Sequence, residues 1–286
     1  MTWRLQVNHT TGYHYAGEVV SSYNEARITP LTDTGQLTID AMVDITPPSR
    51  TYRYWDYWGC LVHAFDVHVP HRRLVVTGRS LVETTAGGEA EDDPGATWDE
   101  LGDPSTIDGH HELLAPTVFV PFASEHVHSQ ADLLRTAGSP HQAGLAASAW
   151  VKETLAYERG ITRVSTSAVE AWDHGRGVCQ DFAHLTLALL RAMGIPSRYV
   201  SGYLHPEPDA AIGTTVRGES HAWVEWWAGE WVRFDPTNGI GVATEVEVLQ
   251  SLGYRPTLRS LVRRRSELLA FLRSALVAQP PITPPA

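Results

Sequence analysis

The sequence predicts an α+β protein, in which an all-β domain precedes a core made of a helical layer and an antiparallel sheet. Residues 1 to 85 contain short segments of alternating apolar and polar residues, separated by proline and glycine, which is typical of a sandwich-like β domain. Beyond residue 109, segments of helical length begin at serine or threonine and end at glycine or proline. Near residue 228, two aromatic and β-branched segments flank a turn signal, which predicts a β-hairpin.

The first domain is predicted to cover residues 1–85. Its strand-like segments are Trp3 to Val7, Val19 to Ile28, Gln36 to Thr46, Tyr52 to Tyr57, Cys60 to Val69 and Leu74 to Val82. Residues 86–108 are rich in glycine, proline and acidic side chains, and we expect an acidic flexible linker there. The core follows at 109–240. The tail, 241–286, is basic, and its pattern predicts a helix over Ser266 to Val277 before a proline-rich end.

Four helices are predicted in the first part of the core, and each has a recognisable start or stop. They run from His110 to before Pro116, from the cap Ser124 to Gly138, from Ser139-Pro140 to about Tyr157, and from the cap Thr166 or Ser167 to His174. The sheet is expected to contain Ser197 to Leu204 and the two strands of the hairpin.

The segment from Gly175 to Met193 offers a candidate nucleophile. Two glycines, Gly175 and Gly177, precede Cys179, and apolar residues at helical spacing follow it. A thiol at a helix N-terminus meets unpaired N–H groups and the positive end of the helix dipole, which favour the thiolate. Cys179 is therefore placed where a cysteine nucleophile needs to be.

The hairpin around Ala228-Gly229 offers the partners of a nucleophile. With Ala228 at the centre of the turn, facing positions have numbers that sum to about 456, so His221 lies opposite Asp235. The alternate positions, among them Ala222, Val224 and Trp226, form an apolar face for the core. An imidazole held by a carboxylate and offered to a thiolate is the arrangement used by cysteine acyl-transfer enzymes.

Three blocks of this sequence, in this order, resemble those of the transglutaminase-like superfamily, most closely its bacterial branch of cysteine-protease-like proteins. They are GRGVCQDFAH around Cys179, SHAWVE from Ser220, and FDPTN from Phe234. Segments such as Tyr13-His-Tyr15 and Asp56-Tyr-Trp-Gly59 similarly resemble the N-terminal domain that commonly precedes such cores. The resemblance implies a papain-like core in which Cys179 is the nucleophile, His221 the general base and acid, and Asp235 the group that orients the histidine.

The resemblance implies a hydrolase or acyl transferase that acts on a peptide or protein amide through a Cys179 thioester. The acyl acceptor, water or an amine, stays open, because both outcomes use the same catalytic residues. A protein-crosslinking transglutaminase, an amidase similar to peptide:N-glycanases, and a non-catalytic scaffold on the same fold are the alternatives. The oxyanion donor is expected to be the Cys179 backbone N–H with one side chain, for which Tyr157 and Gln180 are candidates.

Charge and composition exclude several other classes. The net charge of −11 argues against a nucleic-acid partner, and no apolar run is long enough to cross a membrane, so a cytoplasmic location is the expectation. Two cysteines, Cys60 and Cys179, are too few for a disulfide framework, and both are expected to be reduced thiols. No metal or other cofactor is expected, because the 14 histidines lack the i, i+4 pairing typical of zinc ligands. His184 has no evident carboxylate partner and is expected to be a histidine of the core or of the immediate surroundings of the site, whereas His174 is close enough to Cys179 in sequence to be an alternative at the rim of the pocket.

Overall fold

The structure is a computed structural model that describes residues 2–33, 35–85, 93, 95–205, 211–241, 247–252 and 258–264. The chain divides into two compact units, the first formed by residues 1–86 and 244–286 and the second by residues 87–243. Strands dominate the first unit, and the second contains helices and a sheet, so the α+β prediction is confirmed. In the described part of the chain, no helix combines the length and the apolar character needed to span a membrane.

An antiparallel sheet forms the first unit. Its strands are β1 (Thr2–Ala26), β2 (Gln36–Thr46), β3 (Thr51–Trp55), β4 (Leu61–Val67) and β5 (His71–Thr85), in the order β2-β5-β1-β4-β3. The two segments predicted at Trp3 to Val7 and Val19 to Ile28 belong to one strand. Residues 2–14 of β1 pair with β5, and residues 22–26 pair with β4. The register shifts between His14 and Val19, so the first part of β1 belongs with β5 and its last part with β4. The core of this unit includes Phe65 and Leu74.

The predicted basic tail contributes a strand to this sheet. Residues Leu258–Arg264 (β13) pair antiparallel with β1, where Ala26 lies opposite Leu258. This strand was not predicted, because the pairing joins residues more than 200 positions apart and leaves no local signal in the sequence. The strand Glu247–Leu252 (β12) precedes it. The helix predicted over 266–277 and the proline-rich end lie outside the described residues.

Of the flexible linker predicted over 86–108, residues 86–92 and 94 lie outside the described residues, and the part from residue 98 on differs from the prediction. Residues Trp98–Leu101 form helix α1 and Pro104–Gly109 form helix α2. The acidic side chains cap these helices: Glu100 completes a capping box with Thr97, and Asp103 accepts a hydrogen bond from the Ser105 N–H. A composition that suggested a solvated linker therefore supplies helix caps instead.

The helices of the second unit begin close to the predicted positions. They are α3 (His111–Leu114), α4 (Glu125–Arg135), α5 (Pro140–Thr154), α6 (Ala168–His174) and α7 (Cys179–Ala192). Ser124, Ser139 and Ser167 cap α4, α5 and α6 respectively, and each side chain accepts a backbone N–H from the first turn of its helix. Between the two caps considered for α6, the structure selects Ser167.

The sheet of this unit contains β8 (Ser197–Leu204), β9 (Glu219–Trp227), β10 (Trp231–Asp235) and β11 (Ile240–Gly241), in the order β11-β10-β9-β8. A short parallel pair, β6 (Ala156–Tyr157) and β7 (Arg176–Gly177), lies ahead of α7. Ala222, Val224 and Trp226, the residues of the predicted apolar face, are all buried, and so are His221, Trp223 and Glu225 between them. Helix α5 approaches this face so closely that a side chain at Gly144 would meet the Trp226 ring at 2.8 Å.

Candidate active site

Cys179 is the first residue of α7, as the sequence predicts. The preceding helix ends at Gly175, whose φ of +63° is the left-handed conformation that favours glycine at a helix end. Residues 176–177 then pair with β6 and carry the chain to the start of α7. Cys179 stands in the first turn of α7, where the helix begins with the Asp181 N–H donating to the Val178 carbonyl at 2.8 Å, so its side chain lies at the positive end of the helix dipole.

Asp181 fixes the start of this helix, a role that sequence analysis missed. Val178, the residue at the N-cap, has no side-chain oxygen, and its backbone N–H instead donates to Asp181 Oδ2 at 2.7 Å. The same oxygen accepts from Thr162 Oγ1 at 2.6 Å. Asp181 is fully buried, and this burial raises the pKa of its carboxyl against the effect of both hydrogen bonds. A carboxylate in the third position of a helix is a known N-terminal signal, hidden here by the valine cap.

The hairpin has a different register from the one predicted. Trp231 lies opposite Trp227 and Phe234 lies opposite Val224, so facing positions sum to 458 and not 456. The physical reason is Gly229, whose φ of +103° places it at the centre of the turn in place of Ala228. His221 and Asp235 are therefore diagonal neighbours and not directly opposite. A shift by two residues keeps both side chains on the same face of the sheet.

The two side chains meet in a hydrogen bond. His221 Nε2 lies 2.7 Å from Asp235 Oδ2, with Asp235 fully buried and His221 nearly so. Cys179 also interacts with His221, through hydrogen bonding and charge that both raise the pKa of the imidazole. Since Asp235 occupies Nε2, the other ring nitrogen, Nδ1, is the one left for the thiol. The structure thus brings together all three residues that the sequence singled out.

The electrostatics of this group favour a charged imidazole. Burial alone lowers the pKa of His221, but hydrogen bonds and charge interactions with Asp235 and Cys179 outweigh it and raise the pKa from 6.5 to about 10. Burial likewise raises the pKa of Asp235, and here the interactions with His221 and Asn238 outweigh it, so that the pKa falls below its usual range. The arrangement therefore stabilises an imidazolium beside an ionised carboxylate.

Two family models match this chain. The model described as the transglutaminase-like superfamily matches residues 128–236, which include Cys179, His221 and Asp235, and that of the bacterial transglutaminase-like N-terminal region matches residues 5–83. The chain belongs to the transglutaminase-like superfamily. The resemblance seen in the sequence is thereby confirmed.

Similar proteins include both uncharacterised and named members. An uncharacterised protein of Mycobacterium leprae is 45% identical over 243 residues, which cover 85% of this chain and 86% of that protein. A protein-glutamine gamma-glutamyltransferase of Pseudomonas aeruginosa is 35% identical over 115 residues, 37% of this chain and 17% of that protein. The solved structure of a candidate cysteine protease from Cytophaga hutchinsonii superposes with a TM-score of 0.70 at 18% identity, over 92% of this chain and 89% of that one, and so shares the fold.

The other histidines considered from the sequence have different surroundings in this transglutaminase-like core. His184 is completely buried, its ring packs beside Phe119 and Tyr199, and burial lowers its pKa to about 3. It is a neutral packing residue. His174 is exposed at the end of α6, where its ring is hydrogen-bonded to the Glu170 carbonyl. In the described ranges of the chain, no group of three or more histidine, cysteine or acidic side chains is arranged to hold a metal ion.

The two side chains considered as oxyanion donors lie near the start of α7. Gln180 Nε2 donates to the Arg163 carbonyl at 3.3 Å, so this amide ties α7 to the 158–167 loop. Tyr157 is half-exposed, pairs with Gly177 in the short parallel ladder, and has its ring 6.3 Å from that of Phe182. The Gln180 amide is thus engaged with the 158–167 loop, whereas the Tyr157 side chain is half-exposed.

Proposed function

We propose that this chain is a cysteine-dependent enzyme that acts on a peptide or protein amide through a Cys179 thioester. One observation carries the proposal: the buried Asp235 carboxylate is hydrogen-bonded to His221, and this imidazole interacts with Cys179 at the start of α7. Nucleophile, base and orienting carboxylate are the three groups that acyl transfer by a cysteine requires. The superfamily membership and the position of Cys179 at a helix N-terminus support the same conclusion.

The chemistry follows from this arrangement in two halves. The Cys179 thiolate attacks the amide carbonyl carbon and forms a C–S bond, while the carbonyl electron pair moves to oxygen. As the tetrahedral intermediate collapses, the C–N bond breaks and the His221 imidazolium gives its proton to the leaving nitrogen. His221, now neutral, then takes a proton from the acceptor as that group attacks the thioester, and the thiolate leaves. Asp235 holds the imidazole in place and stabilises its charged form throughout.

The start of α7 provides stabilisation for the oxyanion. The Cys179 N–H belongs to the first turn of the helix and precedes its first intrahelical donor, the Asp181 N–H. It can donate to an oxygen that develops charge beside the sulfur, and the helix dipole adds to the effect. We propose Tyr157 as the side chain that contributes the second donor.

Selective alkylation tests the nucleophile. Iodoacetamide labelling over a range of pH, with the sites identified by mass spectrometry, is compared in the wild type, Cys179→Ala, Cys60→Ser and His221→Ala. We expect rapid labelling at Cys179, slow labelling at the buried Cys60, and a profile displaced to higher pH in His221→Ala. Faster labelling at Cys60, or a profile that His221→Ala leaves unchanged, contradicts the proposal and favours the non-catalytic scaffold.

A paired assay identifies the acyl acceptor. A glutamine-containing peptide library is incubated with the enzyme, with and without a fluorescent primary amine, and mass spectrometry follows cleavage, ammonia release and amine incorporation. We propose that water is the main acceptor, so products of hydrolysis are expected to exceed amine adducts. The reverse ratio identifies a transglutaminase, and Cys179→Ala is expected to abolish either product.

A further inference from the structure

The carboxylate of Asp235 is held by more than His221. Oδ2 accepts from His221 Nε2 at 2.7 Å and from Asn238 Nδ2 at 2.6 Å. Oδ1 accepts from the backbone N–H groups of Thr237 at 2.8 Å and Asn238 at 3.2 Å. Within the described residues, His221 and Asn238 supply the side-chain donors to this carboxylate, and both use the same oxygen.

The turn that carries Asn238 is anchored at both ends. The Gly239 N–H donates to the Asp235 carbonyl at 2.8 Å, which closes the turn at the end of β10. The Asn238 carbonyl accepts a hydrogen bond from Lys152 Nζ on α5. Gly239 itself has a φ of +71°, and an added Cβ there would lie 2.7 Å from the same Nζ. The backbone of Asn238 is thus fixed by contacts that do not involve its side chain.

The side chain of Asn238 therefore has a separable role. The residue is exposed, so its truncation leaves no cavity in the core. Its amide reaches the one oxygen that also faces His221, and it constrains rotation of the carboxylate about its terminal bond. A donor to an ionised carboxylate also favours the ionised form, and Asn238 is among the groups that lower the pKa of Asp235.

We propose that Asn238 is a positioning residue of this site, whose side-chain amide keeps the Asp235 carboxylate ionised and aimed at His221. The proposal rests on the proposed function, because it concerns the group that orients the histidine. It extends the functional site past β10 to Asn238, the last residue of the FDPTN block. The proposed catalytic residues remain Cys179 and His221, and Asp235 remains the group that orients the histidine.

The pH profile of Cys179 alkylation tests this role. Asn238→Ala removes the donor, and Asn238→Asp replaces it with a carboxylate that repels Asp235. We expect the acid limb of the profile to move upward in Asn238→Ala and further in Asn238→Asp, and a displacement of about one pH unit slows labelling on that limb by up to about tenfold. Above pH 7 the rates are expected to stay within about threefold of the wild type.

Thr237→Ala is the matched control, because the neighbouring residue donates to Asp235 through its backbone and keeps that N–H when the side chain is shortened. We expect its profile to superimpose on that of the wild type. A thermal melting curve of each variant shows whether the fold is retained, and Asn238→Leu, which has a side chain of similar size but no donor, serves if Asn238→Ala does not fold. A merely structural role for Asn238 would lower the melting temperature without moving the acid limb.

Reference variants separate the two proposals. If His221→Ala and Asp235→Asn displace the profile while both Asn238 variants do not, the positioning role of Asn238 is wrong and the proposed function stands. If none of the four variants displaces it, the proposed function itself fails. Displacement of the profile by all four variants, with a larger effect in Asn238→Asp than in Asn238→Ala, supports both proposals.

Discussion

Replacement of Gly177 by alanine tests how the nucleophile is held. An ideal Cβ at this position would lie 2.6 Å from both Cβ and Oδ2 of Asp181, so the two side chains cannot coexist without movement. Overpacking of this kind costs about 1–3 kcal/mol. Displacement of Asp181 also loses its hydrogen bonds to Val178 and Thr162, each worth about 1.5–3 kcal/mol for a charged acceptor. A displaced Asp181 carboxylate regains contact with water, which offsets part of this cost. We therefore expect Gly177→Ala to lower the free energy of unfolding by about 2–4 kcal/mol.

The assay combines stability with reactivity. Urea unfolding followed by tryptophan fluorescence gives the change in the free energy of unfolding, and iodoacetamide labelling reports the position of Cys179. In an Asp181→Gly background the clash partner is absent, so Gly177→Ala is expected to cost less than about 1 kcal/mol there. Gly175→Ala is the control: it introduces backbone strain of about 1–2 kcal/mol at a positive φ, in open space, and is expected to leave Cys179 labelling unchanged.

Equal costs of Gly177→Ala in the two backgrounds would refute the reasoning, because the destabilisation would then have a source other than Asp181. Normal Cys179 labelling in a destabilised Gly177→Ala protein would refute the expectation that this contact positions the nucleophile. In that case the start of α7 would hold the thiol in place without the contact between Gly177 and Asp181.

Three further predictions concern charges and caps in the same unit. Because the pKa of His221 is raised, its charge stabilises the fold fully below about pH 6.5, and this contribution is lost as the pH rises toward about 10; Asp235, whose pKa is lowered, contributes above about pH 3.8. The difference in the free energy of unfolding between wild type and His221→Ala, measured by urea unfolding, should therefore be largest between about pH 3.8 and about pH 6.5 and shrink toward alkaline pH. Glu225→Gln removes the charge of a fully buried carboxylate that bridges Arg198 and Arg233. It should lower the free energy of unfolding by about 3–5 kcal/mol, measured by the same method, and leave Cys179 labelling unaffected at temperatures where the variant is folded. Ser167→Ala removes the capping box of α6 and should cost about 1 kcal/mol, seen as a drop of a few degrees in the melting temperature; no change would mean that the cap is not a source of stability.

Local patterns determined much of the second unit. The caps Ser124 and Ser139, the start of α7 at Cys179 and the strand from Trp231 were all predicted within a residue or so. Each of these depends on a signal contained in a few neighbouring residues: a side-chain acceptor before a helix, or alternation along a strand. The common face of His221 and Asp235 was predictable for a similar reason, since the period of a strand is two residues and survives a shift of register by two.

Tertiary structure decided the features that depend on distant partners. The pairing of β13 with β1 joins residues 19–26 to residues 258–264, and residues 98–101 and 104–109 form helices although their composition suggests a linker. The register of the hairpin followed the backbone conformation of Gly229, which the letters Ala-Gly alone do not specify. Valine at the N-cap has no side-chain acceptor, and Asp181 caps the helix instead by accepting the Val178 backbone N–H, a partner that no side-chain motif reveals.

The sequence by itself therefore determined which residues form the candidate site, because Cys179, His221 and Asp235 each stand in a local pattern that fixes the element and the face. Only the tertiary structure decided how they meet: through Nε2 of the histidine, with the carboxylate held by the turn that follows β10. The physical reason is that strand periodicity and helix caps are short-range, whereas hydrogen-bond geometry in a buried site depends on the packing of elements far apart in the chain.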